Sequence, residues 1–545
     1  MVKKGISLYA ILICLMIALL SRCGGPDHKS RPNIILIVSD DLGYSDLGCY
    51  GGEIQTPNLD RLASRGLRFT QFYNYARCCP TRASLMTGLY PHQTGIGHMT
   101  NYPPNPGAHD YGLPGYRGFL NMHCVTIAEV LKGAGYHTFM TGKWHLGFFG
   151  EKKWPLQRGF DEFYGLIPGA CNYFRPVYPR GMTSGNDTVS IRENDFYTTN
   201  VFTDYAIRFI EEARRNDSQP FFLYLAYNAP HWPLNAPAED IAKYKGKYMM
   251  GWKELRLKRY RNMQQMGLVN PNWELTPQDS RDWDSLDESK KKEMDLRMAI
   301  YAAMVDRMDQ NIGKLTAFLE EQNLLRNTII IFLSDNGGCA EFSELGNGPV
   351  QLLGTRQGYV LTYGRAWANA SNTPFREYKH WVHEGGISTP LIVHWPEGIP
   401  ANIQGNLVHE YGFLPDIMAT CIDLAGTEYP EDYKGNQIYP LEGLSLLPLI
   451  RGSGKPVHIK PIFWEHEGNK AVRLGKYKLV HKWTADHPAS WELYDMEADR
   501  TEMNNLAPSM PEKVAELDLL YEEWASGHQV IPWEDIRQII QKLNR

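Results

Sequence analysis

The 545-residue chain has few cysteines, little net charge and almost no long apolar runs, and each scarcity excludes a class of protein. Its nine cysteines show no paired spacing, so we do not expect disulfide bonds to organise the fold. The cysteines and histidines are not spaced as the ligands of a zinc motif are. A formal net charge of -5 supplies no broad basic field, which argues against a nucleic-acid partner. The 43% of hydrophobic residues is enough for a large core.

The N-terminus carries the longest apolar stretch, at residues 6–20, directly after Lys3 and Lys4. This pattern predicts an export signal, and it is short for a membrane span, which needs about 20 apolar residues. Residues 20–23 are similar to the cleavage box of bacterial lipoproteins, with Cys23 as the acylated residue. We predict a signal peptide at 1–22, a linker at 23–31, and a periplasmic or outer-membrane lipoprotein that touches the membrane only through its lipid. Plain secretion and an uncleaved anchor are the alternatives.

Short apolar runs alternate with helical patterns over most of the chain. The runs are rich in branched residues and predict buried parallel strands at residues 33–38, 137–141, 221–225 and 328–333. Helical patterns lie between them, at residues 57–64, 126–132 and 204–214, and a charged, methionine-rich helical region covers 243–321. This alternation predicts an α/β fold with a mainly parallel sheet between layers of helices.

The end of the chain has a different pattern. Residues 472–480 and 491–494 are typical of short antiparallel strands joined by turns, and a final helix is predicted at 511–524. We therefore predict a main domain at 32–452 and a small C-terminal α+β subdomain with an antiparallel sheet at 455–545.

Polar residues follow each predicted strand of the main domain. In open α/β sheets, ligands bind in the crevice beyond the carboxyl ends of the strands, so these side chains are expected to converge there. They are Asp40, Asp41, Lys143, His145, His231, Asp335 and Asn336.

Asp40, Asp41, Asp335 and Asn336 offer only oxygen ligands, which suits a hard divalent cation and calcium in particular. Taken singly, Asp40-Asp41 is better explained by a helix cap and Asp335-Asn336 by a turn. Two strand ends with such groups favour a metal site, because neighbouring buried carboxylates repel each other unless a cation neutralises them.

Candidate cationic and proton-transfer groups accompany the acids. Lys143 and His145 are two residues apart and point to the same side of an extended segment, so they could hold one ligand together. His231 lies between two prolines that fix its direction. Lys379 completes the set. A histidine packed beside tryptophan and an ordinary surface lysine are the alternatives for His231 and Lys379.

The run Cys78-Cys79-Pro80-Thr81-Arg82 puts a thiol, a proline and an arginine within one turn. Pro80 suits the first position of a helix, so Cys78 is expected at or just before a helix N-terminus, where unpaired N–H groups favour an anion. A structural cysteine pair before a surface helix is the alternative.

This run and five further motifs, in this order, resemble the type I sulfatases, and most closely the bacterial arylsulfatase branch. The likeness extends from residue 32 to about 449, with a similar C-terminal tail. It implies an alkaline-phosphatase-like sandwich that hydrolyses sulfuric esters of aryl or carbohydrate alcohols. The motifs are Asp40-Asp41, the Cys78 run, Gly142-Lys143-Trp144-His145-Leu146-Gly147, Ala229-Pro230-His231-Trp232-Pro233, Ser334-Asp335-Asn336-Gly337, and Lys379 with Glu384-Gly385-Gly386.

The resemblance also implies roles for single residues. A maturation enzyme would oxidise Cys78 to formylglycine, and its hydrate would join the acids and Asn336 in binding Ca²⁺. Arg82 would hold the modified side chain, and Lys143 and Lys379 would hold sulfate oxygens. His231 would bind substrate or protonate the departing alcohol, and His145 would take the proton that lets the hydrate expel sulfate.

Two other functions fit the same motifs. One is a phosphonate monoester or phosphodiester hydrolase with the same fold and metal site. The other is a non-catalytic lipoprotein that binds sulfated glycans and whose Cys78 is never converted. The substrate expected from the primary prediction is a sulfated small molecule or glycan.

Overall fold

The computed structural model describes residues 31–100, 109–177, 179–191, 193–485 and 490–543. The predicted signal peptide at 1–22, Cys23 and nearly all of the linker lie outside the described residues. Within the described ranges, every helix is too short or too polar to cross a bilayer.

One large sheet and two small ones contain the strands of the described chain. Their bounds are β1 (Asn33–Asp40), β2 (Leu67–Tyr73), β3 (His137–Lys143), β4 (Glu162–Leu166), β5 (Met182–Ser184), β6 (Asp187–Val189), β7 (Phe221–Pro230), β8 (Thr328–Ser334), β9 (Ser388–His394), β10 (Leu407–Val408), β11 (Gly412–Phe413), β12 (Asp432–Tyr433), β13 (Asn436–Gln437), β14 (Ile462–His466), β15 (Asn469–Leu474), β16 (Tyr477–His481) and β17 (Glu492–Asp495).

The large sheet has the order β10-β2-β9-β8-β1-β7-β3-β4-β5-β6, with β11 also paired to β2. Its five central strands, β8, β1, β7, β3 and β4, are parallel to one another. Strand β9 runs antiparallel to both β8 and β2, and β5 and β6 are antiparallel additions at the other edge. The four predicted strands are confirmed, each between one and five residues longer than its apolar run.

Strands β1 and β8 contain continuous apolar runs, at 34–38 and 329–333, because both faces of the sheet are covered. In β1, Ile34 and Leu36 belong to the hydrophobic core on one face, whereas Ile35 and Ile37 belong to the core on the other. Successive side chains of a strand point to opposite faces, so a strand buried on both sides needs a continuous apolar run.

The helices pack on both faces of this sheet and around the small ones. Their bounds are α1 (Pro57–Ser64), α2 (Cys78–Thr87), α3 (Pro91–Thr94), α4 (Ile127–Gly133), α5 (Thr198–Asn216), α6 (Ala238–Tyr244), α7 (Gly251–Gln265), α8 (Glu288–Glu321), α9 (Arg365–Ser371), α10 (Glu384–Ile387), α11 (Pro415–Ala425), α12 (Leu447–Ile450), α13 (Pro511–Gly527) and α14 (Trp533–Leu543). The charged region predicted at 243–321 forms α7 and α8 and the end of α6, and the methionines of α8 are buried in the core.

Strands β14 to β17 form an antiparallel sheet in chain order, as predicted for the C-terminal part. This sheet packs directly on the main domain: the indole N–H of Trp464 in β14 donates to the carbonyl of Asn74 at 2.9 Å, and the ring of Trp464 lies edge-on to that of Tyr73. The last helix, α14, was not predicted. The domain boundary between residues 452 and 455 stays a prediction.

Candidate active site

The order of the strands brings the predicted site residues to one edge of the sheet. Strand β1 lies between β8 and β7, and β3 follows β7, so the carboxyl ends that bear Asp40, Asp335 and Lys143 are neighbours. Ion pairs join them: Lys143 Nζ lies 2.7 Å from Asp40 Oδ2, and Arg82 bonds Asp335 Oδ2 through Nε at 3.0 Å and a terminal nitrogen at 2.7 Å.

Asp41 and Lys379 form the second half of this group. Lys379 Nζ lies 2.9 Å from Asp41 Oδ1, and Asn336 Nδ2 donates to the same oxygen at 2.7 Å. Asp41 itself has a φ of 66°, in the left-handed region that non-glycine residues rarely adopt. Backbone strain of this kind is concentrated at functional sites.

The acidic group keeps oxygen atoms without hydrogen-bond partners. Asp40 Oδ1 and Asn336 Oδ1 are buried and accept no hydrogen bond. Burial and the charge of Asp335 raise the pKa of Asp40 well above its usual value, although Lys143 and Arg82 oppose this shift. Since buried oxygens normally have partners, these atoms are free ligands for a cation that prefers oxygen. The donor set therefore fits the predicted calcium site.

Cys78 lies at the start of α2, next to this acidic group. The helix begins at Cys78, so Pro80 is its third residue and not the first, which corrects the predicted position of the proline. The first helical hydrogen bond is the one from Thr81 N to Arg77 O, at 2.9 Å. The missing N–H of Pro80 therefore still costs no hydrogen bond, because it falls among the unpaired groups of the first turn.

The surroundings of Cys78 favour an anion. A hydrogen bond with Cys79 lowers the pKa of the Cys78 thiol well below its usual value; burial opposes this shift, and the charges of Lys143 and His145 reinforce it. Burial lowers the pKa of His145, which favours its neutral form. His145 Nε2 lies 2.6 Å from the carbonyl of Thr100, and the ring also interacts with the Cys78 thiol.

Gly169 makes room for the His145 ring. A Cβ at residue 169 would lie 2.5 Å from the imidazole, so only glycine leaves the ring in place. His145 has a φ of 59°, a second left-handed backbone among the predicted site residues. Strand β3, which precedes His145, also needs glycine near its end, because a Cβ at Gly142 would lie 1.9 Å from the carbonyl of Ala226.

His231 faces the acids from the end of β7. Its Nε2 lies 3.6 Å from Asp41 Oδ2, and its Nδ1 lies 2.6 Å from the carbonyl of Trp232. Burial lowers the pKa of His231 to about 3; Asp41 opposes the shift, and the two lysines, Lys379 and Lys143, add to it. A neutral imidazole is therefore present near pH 7.

Of the predicted residues, Cys78, His145, His231 and Lys379 line a cavity of about 420 Å³, and the other six are buried next to them. The structure thus brings together all ten described residues that the sequence predicted for the site. Sequence reasoning missed several others that line the cavity: Arg77, Met99, Gly169, Ala170, Arg180, Trp232, Glu341 and Phe342.

Glu341 is a missed residue that contacts three other residues of the cavity wall. Its carboxylate lies 2.7 Å from Arg77, accepts the indole N–H of Trp232 at 3.0 Å, and lies 3.9 Å from Lys379. Burial raises its pKa, but Lys379 and Arg77 more than offset this, so the pKa of Glu341 is lowered. Its place six residues after Asp335, just past a strand end, was the signal that could have identified it.

Comparison with known proteins agrees with this geometry. The family model described as "Sulfatase" matches residues 32–427, and the one described as "N-sulphoglucosamine sulphohydrolase, C-terminal" matches residues 376–519. An uncharacterized sulfatase of Schizosaccharomyces pombe is 36% identical, over 90% of this chain and 92% of that protein. An arylsulfatase of Klebsiella aerogenes is 33% identical, over 77% of this chain and 92% of its own.

A solved structure gives the same result for the fold. The structure of Ps i-CgsB in complex with k-i-k-neocarrahexaose superposes with a TM-score of 0.68 at 27% identity, over 94% of this chain and 97% of that one. The chain belongs to the sulfatase family, with the alkaline-phosphatase-like fold of that family. It is a sulfatase, and the predictions of family, fold class and enzyme type are confirmed.

Proposed function

We propose that this sulfatase hydrolyses sulfate esters of carbohydrate or aryl alcohols, with Cys78 converted to formylglycine and Ca²⁺ held by Asp40, Asp41, Asp335 and Asn336. One observation carries the proposal: Cys78 and Lys379 line one cavity, and Lys379 is ion-paired to a buried acidic group that keeps unpaired oxygens and is also bonded to Lys143 and Arg82.

The charges of the site support an anionic substrate. The three carboxylates of Asp40, Asp41 and Asp335 are matched one to one by Lys143, Lys379 and Arg82. A divalent cation would therefore leave the site with an excess of about two positive charges, while the nearby Glu341 and Arg77 cancel each other. Calcium bound there would stabilise negative charge on the reacting group.

The lysines have a second role once the acids are neutralised. In the structure each lysine bonds a carboxylate that also belongs to the proposed metal site. With a cation held by those carboxylates, the ammonium groups of Lys143 and Lys379 would be bound less tightly and could donate to sulfate oxygens. Fixed cations of this kind stabilise the charge of a transferring group better than water does.

Three further groups complete the proposed reaction. The formylglycine hydrate would supply an oxygen nucleophile that can release sulfate by re-forming its carbonyl group. Arg82 lies in the helix that begins at Cys78, and its ion pair with Asp335 fixes the position of the helix N-terminus. His231, neutral near pH 7, would orient the departing alcohol, and His145, which lies beside the Cys78 side chain, would take the proton from the hydrate.

The rim of the cavity supports a carbohydrate substrate. Trp232 lies edge-on to Phe342 at 5.4 Å and to Tyr359 at 5.4 Å, and the side chain of Phe342 is 57% exposed. The guanidinium of Arg180 lies over the Tyr359 ring. Exposed aromatic faces next to a cation suit the apolar face of a sugar ring that carries further hydroxyl or anionic groups.

The test uses protein in which mass spectrometry shows the aldehyde at position 78. We expect it to desulfate a panel of sulfated sugars and aryl sulfates faster than it cleaves phosphate diesters or phosphonate monoesters of the same alcohols. Cys78→Ala removes the nucleophile and is expected to lower kcat by about 10³-fold or more. Cys421→Ala, a buried cysteine of α11, is the matched control and should retain kcat.

Each contrary outcome identifies an alternative. Faster cleavage of the phosphorus esters would assign the site to the phosphodiester or phosphonate hydrolases. Glycan binding by a chain that keeps an intact thiol at position 78, with no turnover, would make it a sulfated-glycan-binding protein. Steady turnover by Cys78→Ser, with the serine verified as unmodified, would contradict the role of the aldehyde.

The predicted export and lipidation form part of the same proposal. An unprotected Cys78 thiol could be oxidised wrongly outside the cytoplasm, so we propose that the maturation enzyme acts on the unfolded chain before or during export. Mass spectrometry of precursor retained in the cytoplasm tests this, and an intact thiol there would contradict it. Labelling with a radioactive fatty acid tests acylation of Cys23, and no label on the mature chain would contradict lipidation.

A further inference from the structure

A second group of metal-ligand side chains lies beside the cavity, apart from the strand-end acids. It consists of His380, which follows Lys379, His466 at the end of β14, and Glu467 in the turn that leads to β15. His380 Nδ1 lies 3.6 Å from Glu467 Oε2, and His466 Nε2 lies 3.9 Å from the same oxygen. One ligand atom from each residue falls within 4.8 Å of the others.

These separations are close to those of a zinc site. Bonds of about 2.0–2.1 Å in a tetrahedron place neighbouring ligand atoms about 3.4 Å apart. The observed separations of 3.6 and 3.9 Å exceed this by a few tenths of an ångström, which small side-chain rotations can close. Two histidines and a glutamate form a known zinc donor set, with the fourth position left to water or another ligand.

His466 supplies an independent sign of a missing partner. Its ring is completely buried, and neither Nδ1 nor Nε2 makes a hydrogen bond. A buried imidazole with two unsatisfied nitrogens is costly, because such groups normally have a partner in the protein, in water or in a bound ion. Burial lowers the pKa of His466, so the ring is neutral and can offer a lone pair.

The other two ligands are supported and accessible. Glu467 Oε1 accepts the backbone N–H of Met99 at 3.1 Å, which holds the carboxylate and leaves Oε2 for the cluster. The side chains of His380 and Glu467 are 28% and 20% exposed, which gives an ion a path from solvent. The nearby positive charge of Arg77 is already paired with Glu341 at 2.7 Å.

We propose that His380, His466 and Glu467 bind one divalent transition-metal ion of the zinc type. Such an ion would join the segment that carries Lys379 to the turn between β14 and β15, and through Met99 to the wall of the cavity. The site therefore acts as a clamp between the main domain and the C-terminal sheet. It does not depend on the proposed reaction at Cys78.

The test measures zinc binding directly. The full chain is stripped with a chelator, given excess Ca²⁺ to fill the oxygen site, and titrated with Zn²⁺ against a chromophoric competitor. We expect one equivalent of tight binding and a higher Tm with Zn²⁺. Glu467→Gln and His380→Gln, both at partly exposed positions, should weaken binding by at least about 10²-fold and abolish the rise in Tm.

Two controls make the result specific. His409→Gln changes a histidine outside the cluster and should bind Zn²⁺ as the wild type does. Asp40→Asn alters only the strand-end group and should also retain Zn²⁺ binding. Absence of tight Zn²⁺ binding to the wild type, equal affinity in Glu467→Gln and His380→Gln, or loss of the ion in Asp40→Asn would each overturn the proposal.

Discussion

Two buried groups of charged side chains, at the strand ends and under the C-terminal sheet, contain similar residues but differ in how their oxygens are satisfied. At the strand ends, Asp40 Oδ1 and Asn336 Oδ1 are buried without partners. Under the C-terminal sheet, Glu384 and Glu502 are equally buried, and each of their four carboxylate oxygens accepts a hydrogen bond.

The second group is a closed network. Lys478 Nζ bonds Glu384 Oε1 at 2.9 Å and Glu502 Oε1 at 2.8 Å. Arg500 Nε bonds Glu384 Oε2 at 2.8 Å, and Ser388 Oγ donates to the same oxygen at 2.8 Å. Glu384 begins the Glu-Gly-Gly motif that resembles the sulfatases, and the structure shows that its side chain joins the main domain to the C-terminal sheet.

Charge balance does not distinguish the two groups, since each pairs its acids with an equal number of cations. The difference lies in the unsatisfied atoms. A network with all partners present stabilises one structure, whereas buried oxygens without partners leave room for a ligand. We therefore expect substitutions in the two groups to change different properties.

Glu384→Gln is expected to have the largest effect on stability. It removes one partner of a buried network and leaves the charges of Lys478 and Arg500 uncompensated, which costs about 3–5 kcal/mol of unfolding free energy. Denaturant unfolding measures this loss, and Glu516→Gln on the surface of α13 is the control with a change below about 0.5 kcal/mol. The comparison fails if Glu384→Gln lowers kcat sharply at a temperature where it is fully folded.

Asp40→Asn is expected to lower activity strongly and to leave stability nearly unchanged. It removes a proposed calcium ligand, so kcat/KM should fall about 10²- to 10³-fold. Because the pKa of Asp40 is raised, its ionised form is disfavoured in the folded state, and the unfolding free energy measured with chelator should stay equal or rise. A loss of more than about 2 kcal/mol would show that this group is as structural as the Glu384 network.

The pH dependence of stability separates the groups further. Burial raises the pKa of Glu384, but Lys478 and Arg500 more than offset this and lower it to about 2. A carboxylate with a lowered pKa stabilises the fold above its unfolded pKa of about 4.3 and loses that contribution as the pH falls toward 2. Wild type should therefore lose on the order of 3 kcal/mol relative to Glu384→Gln across this window. If wild type and Glu384→Gln lost the same unfolding free energy over this pH range, the prediction would be contradicted.

Calcium addition gives the smallest expected effect. At about 100 times its Kd, an ion that binds only the folded state adds about 2.7 kcal/mol to the unfolding free energy. We expect this gain in chelator-treated wild type and in Glu384→Gln, and a much smaller gain in Asp40→Asn. Calorimetry with and without Ca²⁺ measures it, and an equal gain in all three proteins would place the ion elsewhere.

The sequence was sufficient for the buried strands at the centre of the sheet. Residues 33–38 and 328–333 could be assigned as buried strands because a strand covered on both faces must be apolar at every position. Asp40, Asp335 and Lys143 could be assigned to one site because they follow parallel strands, whose carboxyl ends share an edge.

Other features had no local signal. The start of α2 at Cys78, two residues earlier than Pro80 indicated, depends on the extended backbone of Arg77 and not on the proline. Arg180 and Phe342 reach the rim of the cavity from loops, whose course a single sequence does not reveal. His380 and His466 are far apart in the chain, so the short ligand spacings by which zinc motifs are recognised could not identify them.

The amino-acid order alone determined which side chains are candidates for the chemistry, since apolar runs, turn residues and the Cys-Cys-Pro-Thr-Arg run are local properties of the chain. Tertiary structure decided which oxygens and nitrogens lack a partner, as at Asp40, Asn336 and His466. Whether a buried polar atom is satisfied depends on residues brought close by strand order and sheet packing, and those contacts exist only in the folded protein.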